Sequence, residues 1–241
     1  MDDAAERLQA GLDEMVQCTD RLLDTVDGMP DDSPGGLSLL PDWTRAHVLT
    51  HLARNADGLV NLALAARTSE DRPMYAGGRE ARDADIEAGA DRHLGDLRLD
   101  LADSAERLLE AFAGFPDSGL EREVTFASGA SAYGWELPIL RVREIEIHHV
   151  DLDAGYSPAD WSQEFAGRTL DQLTPFFREA RDCPVGTLVA TDAEGRWEIA
   201  AAGGELTGPR TALMAWLTGR SSGDGLTLSL DEEVPLAPRW N

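Results

Sequence analysis

The 241-residue chain contains no lysine. All of its fixed positive charge comes from 21 arginines, set against 45 Asp and Glu, for a formal net charge of −24. Such a shortage of positive charge argues against a nucleic-acid partner, because binding a polyanion needs a basic face that displaces counterions. An anionic membrane surface is disfavoured on the same ground. Cysteine is scarce as well. Cys18 and Cys183 stand far apart and outside any CxxC spacing, so neither a disulfide framework nor a thiolate metal site is implied. Cys18 falls in a helical stretch and reads as a small core residue. Long apolar runs of membrane-spanning length are missing. The opening residues Met1-Asp-Asp-Ala-Ala-Glu are acidic where a signal peptide would be basic. A cytoplasmic, reduced protein is expected. Walker A, GxGxxG, GxSxG and HExxH patterns are absent too, which removes the commonest nucleotide, dinucleotide, serine-hydrolase and zinc-protease readings.

What is present is ordinary globular material, with 42% hydrophobic and 27% charged residues. The length suits one large domain or two small ones. Leu8, Leu12, Met15, Leu22 and Leu23 recur at helical spacing and predict a helix over about 2–27. The run Met29-Pro-Asp-Asp-Ser-Pro-Gly-Gly ends it. A second helix is expected from Asp42, as N-cap, to about Arg67. A third helical region spans about 79–115, interrupted near Gly89 or Gly95. A strand is possible at 123–127. A fourth helix runs from Trp135 to Ala154, and Gly155 stops it. Beyond this the character changes. A helix over 162–181 is followed by strand-like runs at 186–191 and 196–201, joined by the hairpin signal Asp192-Ala-Glu-Gly. A short helix at 209–218, a strand at 226–230 and an irregular tail complete the chain. The fold class is α+β: a helical bundle over residues 1–157, then a small α/β domain over 158–241.

Four of the five histidines fall on two helices. On the fourth helix, Glu144 and His148 lie four residues apart and share a face with Leu137, Leu140 and Ile147. Glu146 and His149 point the other way, near Val142. A carboxylate among apolar neighbours is costly unless paired or metal-bound. Arg141, one turn earlier, can pair with Glu144 instead and leave His148 as a satisfied core histidine. On the second helix His51 flanks the apolar stripe of Val48, Leu52, Ala56, Leu59 and Ala63, while His47 is rotated toward the polar side. Spacing alone leaves His47 and His51 both open. Two imidazoles and one carboxylate form a catalytic zinc set with a vacant fourth position. Manganese, iron and nickel accept the same ligands. Asp151 and Asn55 are placed to orient the ligands. His93 reads as a surface residue, and Gly219-Arg220 as a Gly-rich turn carrying an arginine.

The segments Asp42-Trp-Thr-Arg-Ala-His-Val-Leu-Thr-His-Leu-Ala-Arg-Asn and Arg141-Val-Arg-Glu-Ile-Glu-Ile-His-His-Val-Asp-Leu resemble the two metal motifs of the mycothiol-dependent maleylpyruvate isomerases, within the DinB-like superfamily. Pro73-Met-Tyr, Glu80-Ala-Arg-Asp-Ala-Asp-Ile, the Gly219-Arg220 turn and the Pro-Arg-Trp tail are similar to that family as well. The resemblance implies a DinB-like four-helix bundle and a zinc or other divalent ion on His51, Glu144 and His148. It also implies mycothiol as the thiol cofactor and Arg220 facing the metal as a catalytic and substrate-binding residue. The implied reaction is the cis-to-trans isomerisation of maleylpyruvate to fumarylpyruvate in gentisate breakdown, an aromatic catabolic route. The dicarboxylate substrate calls for arginines, with Arg220 first and Arg82 second. A mycothiol S-transferase acting on electrophiles and a non-enzymatic, metal-stabilised binding bundle are the alternative functions. A monomer is expected, with neither nucleic acid nor membrane as partner.

Overall fold

A computed structural model describes residues 2–178, 185–229 and 233–238. The chain divides into two compact units, Met1–Gly155 and Tyr156–Asn241, and the fold is α+β. Cys183, the last residues of the 162–181 helix, Leu230 and the Arg239-Trp240 of the tail lie outside the described residues.

The first unit is built on four long helices: α1 (Asp2–Asp27), α2 (Arg45–Thr68), α4 (Leu94–Phe112) and α6 (Leu137–Asp151). Both α1 and α2 pack against α4 and α6, which closes a four-helix bundle. The stripe of α1 that meets the core is Leu8, Met15, Cys18, Leu22 and Val26, while Leu12 and Leu23 of the expected stripe are half-buried at its edge. Leu49, Leu52, Leu59 and Leu62 of α2 and Leu97, Leu101 and Leu108 of α4 are fully buried. Each such side chain contributes roughly 1.5–3 kcal/mol of transfer free energy. The helical region expected over 79–115 splits into α3 (Gly78–Gly89) and α4, so the break falls at the first of the two glycines. Gly89 is required there: a Cβ at this position would sit 2.2 Å from Thr50 Oγ1, so only glycine lets the end of α3 lie on α2. A short helix, α5 (Asp117–Leu120), and a small hairpin of β1 (Glu123–Thr125) and β2 (Ser131–Tyr133) link α4 to α6.

One local expectation is corrected. The N-cap of α2 is Thr44, not Asp42. Thr44 accepts from the His47 backbone N–H, whereas Asp42 sits in a left-handed turn with φ of 65°. The face of α6 that carries Glu146 and His149 is buried as well, because α1 covers it. Glu146 pairs there with Arg21, and His149 Nε2 lies 2.8 Å from Thr25 Oγ1.

The second unit holds α7 (Gln163–Arg178), β3 (Val185–Ala190), β4 (Arg196–Glu198), β5 (Gly204–Gly208), α8 (Arg210–Leu217) and β6 (Thr227–Leu228). Its sheet has the order β4-β3-β5-β6. The β3–β4 hairpin was expected from its turn, whereas β5, parallel to β3, was not. Helices α7 and α8 pack on each other, and α8 also packs on β3 and β5. Among the described residues no helix is long and apolar enough to cross a membrane.

Candidate metal centre

Helices α2 and α6 face each other in the bundle and bring His51, Glu144 and His148 together. One ligand atom from each residue lies within 4.8 Å of the others. His51 Nε2 is 3.3 Å and His148 Nε2 is 3.8 Å from the same oxygen, Glu144 Oε2. Ligand atoms about 2.1 Å from a tetrahedral ion stand roughly 3.4 Å apart, so these separations fit a single divalent cation. The two imidazole rings meet edge to face, with centroids 4.5 Å apart. Three protein ligands leave one coordination position for an exogenous group.

The charge states suit ligation. Burial pushes the His51 imidazole down to about 4, and the neighbouring His148 pushes in the same direction. Burial alone would raise the Glu144 carboxyl. The hydrogen bond from His51 and the charges of His148, His51 and Arg143 outweigh it and hold that carboxyl well below the usual carboxylate range. At neutral pH the pair is therefore a neutral imidazole and a carboxylate, which are the forms that bind metal.

A shell of polar groups orients these three side chains. His148 Nδ1 lies 2.8 Å from Asp151 Oδ2. Asn55 donates from Nδ2 to Glu144 Oε2 at 3.4 Å, and Arg141 donates from Nη1 to Asn55 Oδ1 at 2.7 Å. The expected alternative, an ion pair between Arg141 and Glu144, gives way to this route through Asn55. Arg82 of α3 donates from Nη2 to His51 Nδ1 at 2.9 Å and also pairs with Asp83. Sequence reasoning missed Trp43, whose ring lies 6.0 Å from His47 and 5.6 Å from His51. It also missed Tyr75, whose phenol is raised by burial beside Arg82 and Glu144. Gly58 places Tyr75 there: a Cβ on α2 at this position would stand 2.8 Å from the Tyr75 ring.

The other candidates of the first unit have places of their own. His47 is taken up by the start of its own helix, where its Nδ1 accepts the Thr44 backbone N–H at 3.1 Å. His149 lies on the α1 side of α6. His93 is exposed at the head of α4. Cys18 is buried in α1, and burial, with Glu146 nearby, pushes its thiol up to about 12, so it offers no thiolate. Arg220 belongs to the second unit, where its Nη1 donates to the Thr218 carbonyl at 2.6 Å in the turn after α8.

Comparison with known proteins gives a consistent picture. Residues 15–153 match the family model described as the mycothiol maleylpyruvate isomerase N-terminal domain, a span that includes every residue of the centre and Arg82. The crystal structure of a mycothiol-dependent maleylpyruvate isomerase superposes with a TM-score of 0.85 at 29% identity, covering 97% of each chain. The structure of a histidine-to-alanine mutant of that enzyme also superposes with a TM-score of 0.85, at 28% identity and the same coverage. Among curated proteins there is no match.

Proposed function

Because the chain belongs to the family defined by the mycothiol maleylpyruvate isomerase N-terminal domain, we propose that it isomerises maleylpyruvate to fumarylpyruvate using a divalent ion, zinc foremost, and mycothiol. The observation that carries this reading is the convergence of His51, Glu144 and His148 on one point, with one imidazole neutral and the carboxylate ionised. With a thiol in the open position, the ion would supply the charge that generates a thiolate at neutral pH, able to add reversibly to the substrate double bond. Cys18, buried and held protonated, does not supply that thiol, and the reading takes it from mycothiol.

The residues of this chain take defined parts in that reading. His51, Glu144 and His148 hold the ion. Asp151 accepts from His148 Nδ1 and so leaves Nε2 for ligation. Ligation by His51 through Nε2 places its proton on Nδ1, opposite Arg82, which has only donors to offer. The Arg82 guanidinium then turns to a substrate carboxylate, which it can grip through a forked pair of hydrogen bonds. Arg220 is assigned to the second carboxylate and to catalysis. Such local cations are what allow so acidic a chain to accept a dianion. The reading places the reaction in the cytoplasm, where thiols stay reduced, and takes the protein as a monomer.

The test is direct. Protein purified with zinc and supplied with mycothiol should convert maleylpyruvate, followed by ultraviolet absorbance, without net loss of thiol. Consumption of mycothiol in step with substrate would instead identify an S-transferase. No reaction with a verified thiol and a zinc-loaded protein would reject both.

A further inference from the structure

Arg141 is a buried cation of the first unit. The residue is 1% exposed in the core of the bundle, and burial lowers its guanidinium to about 10. No carboxylate lies within ion-pair distance of it among the described residues. Its Nη2 has no hydrogen-bond partner and its side chain borders a cavity of about 10 Å³ lined by Met15, Thr19 and Leu108, among others. A buried, unpaired cation of this kind is generally less stable than an apolar residue of the same size. Among the described residues its one side-chain hydrogen bond goes to Asn55 Oδ1, at 2.7 Å.

That bond has a consequence one residue further on. A guanidinium can only donate, so Asn55 must present its carbonyl oxygen to Arg141. The amide NH2 is then forced toward Glu144, where Nδ2 lies 3.4 Å from Oε2. Oε2 is the oxygen shared with His51 and His148. Without Arg141 the Asn55 carbonyl loses its partner, and the amide is free to swing away from Glu144. We propose that Arg141 and Asn55 form a positioning relay for Glu144: Arg141 fixes the direction of the Asn55 amide, and Asn55 holds Oε2 in place for ligation. Arg141 touches neither ion nor substrate in this arrangement. The inference rests on the metal reading of the site given above.

The experiment measures zinc affinity by competition with a chromophoric chelator, and cobalt d–d absorption, on the full-length chain. Arg141→Met and Asn55→Leu should each weaken zinc roughly ten- to a hundredfold and shift the cobalt bands. Arg141→Lys, which can still donate to the Asn55 carbonyl, should recover most of the affinity. The double variant should be no weaker than Asn55→Leu alone, because Arg141 acts only through Asn55. A purely structural Arg141 would change the melting temperature of the zinc-free protein but leave affinity and cobalt spectrum at wild-type values. That result, or additive losses in the double variant, overturns the proposal. Should Arg141→Met fail to fold, Asn55→Leu and Arg141→Lys decide alone: unchanged affinity in Asn55→Leu rejects the relay. Failure of the wild-type chain to bind zinc or cobalt at all would instead refute the metal reading itself.

Discussion

Asp151 Oδ2 lies 2.8 Å from His148 Nδ1, the ring nitrogen opposite the one that faces Glu144. Both residues sit on α6, three positions apart, so the helix itself sets the alignment. A carboxylate there accepts the Nδ1 proton, fixes the tautomer and raises the donor strength of Nε2. Asp151→Asn keeps the shape and loses the charge. Zinc affinity should fall by about ten- to a hundredfold while the helical circular dichroism stays unchanged, as a chelator titration beside a far-ultraviolet spectrum would read.

His51→Ala separates a site for chemistry from a strut. If the ion serves catalysis, the variant loses both bound zinc and turnover yet keeps its melting transition, because α2 retains Val48, Leu49, Leu52 and Leu59 in the core. Metal analysis with differential scanning calorimetry on one preparation checks this. A variant that no longer folds would point to a metal-stabilised bundle.

The two arginines should fail in different ways. Arg220→Ala should abolish turnover with metal content still near one ion per chain. Arg82→Met removes one charged hydrogen-bonding group, worth about 1.5–3 kcal/mol, so the substrate KM should rise by roughly ten- to a hundredfold with a smaller effect on kcat. Steady-state kinetics alongside metal analysis distinguishes them, and unchanged kinetics in either variant removes that residue from substrate binding.

Acid should weaken the zinc-free protein in a defined window. His51 is held near 4 in the folded chain, below its ordinary 6.5, so the unfolded chain binds the extra proton first. The stability that the neutral ring leaves intact at pH 7 is therefore lost as pH falls from about 6.5 to about 4. Glu144 acts in the same direction lower down, since its depressed carboxyl contributes stability that disappears below the ordinary carboxylate range. Urea midpoints across this range should slope downward toward acid, and His51→Ala should flatten the upper part of the slope. An unchanged slope in that variant would exclude His51 as its source.

Much of this architecture could be read from periodicity. The i, i+4 placement of Glu144 and His148 follows from one helix, and the structure brings His148 Nε2 to 3.8 Å from Glu144 Oε2. Choosing between His47 and His51 needed more, because helical angles differ little between them. The structure shows why they diverge: His47 closes a capping box with Thr44, a local role that spacing does not reveal. The fate of Arg141 was hidden for the opposite reason, since its partner Asn55 is 86 residues away. β5 escaped notice because Gly204-Glu-Leu-Thr-Gly is short and pairs in parallel with a distant strand, and only tertiary packing makes it a strand. The wheel set Glu146 and His149 on the opposite side, near Val142, and the structure shows that α1 covers that side as well.

The helix that carries Arg82 differs from those that carry the ligands. α2 and α6 are buried along most of their length, whereas α3 buries only Ile86 and Gly89. Little apolar contact holds α3 down, so it belongs to the class of segments that open locally at small free-energy cost. The scaffold thereby divides two demands that compete in one pocket. The three candidate ligands ride on elements buried along most of their length, whereas the arginine proposed for the dianion rides on one held by little apolar contact, so under the proposed function substrate binding would leave the metal site undisturbed.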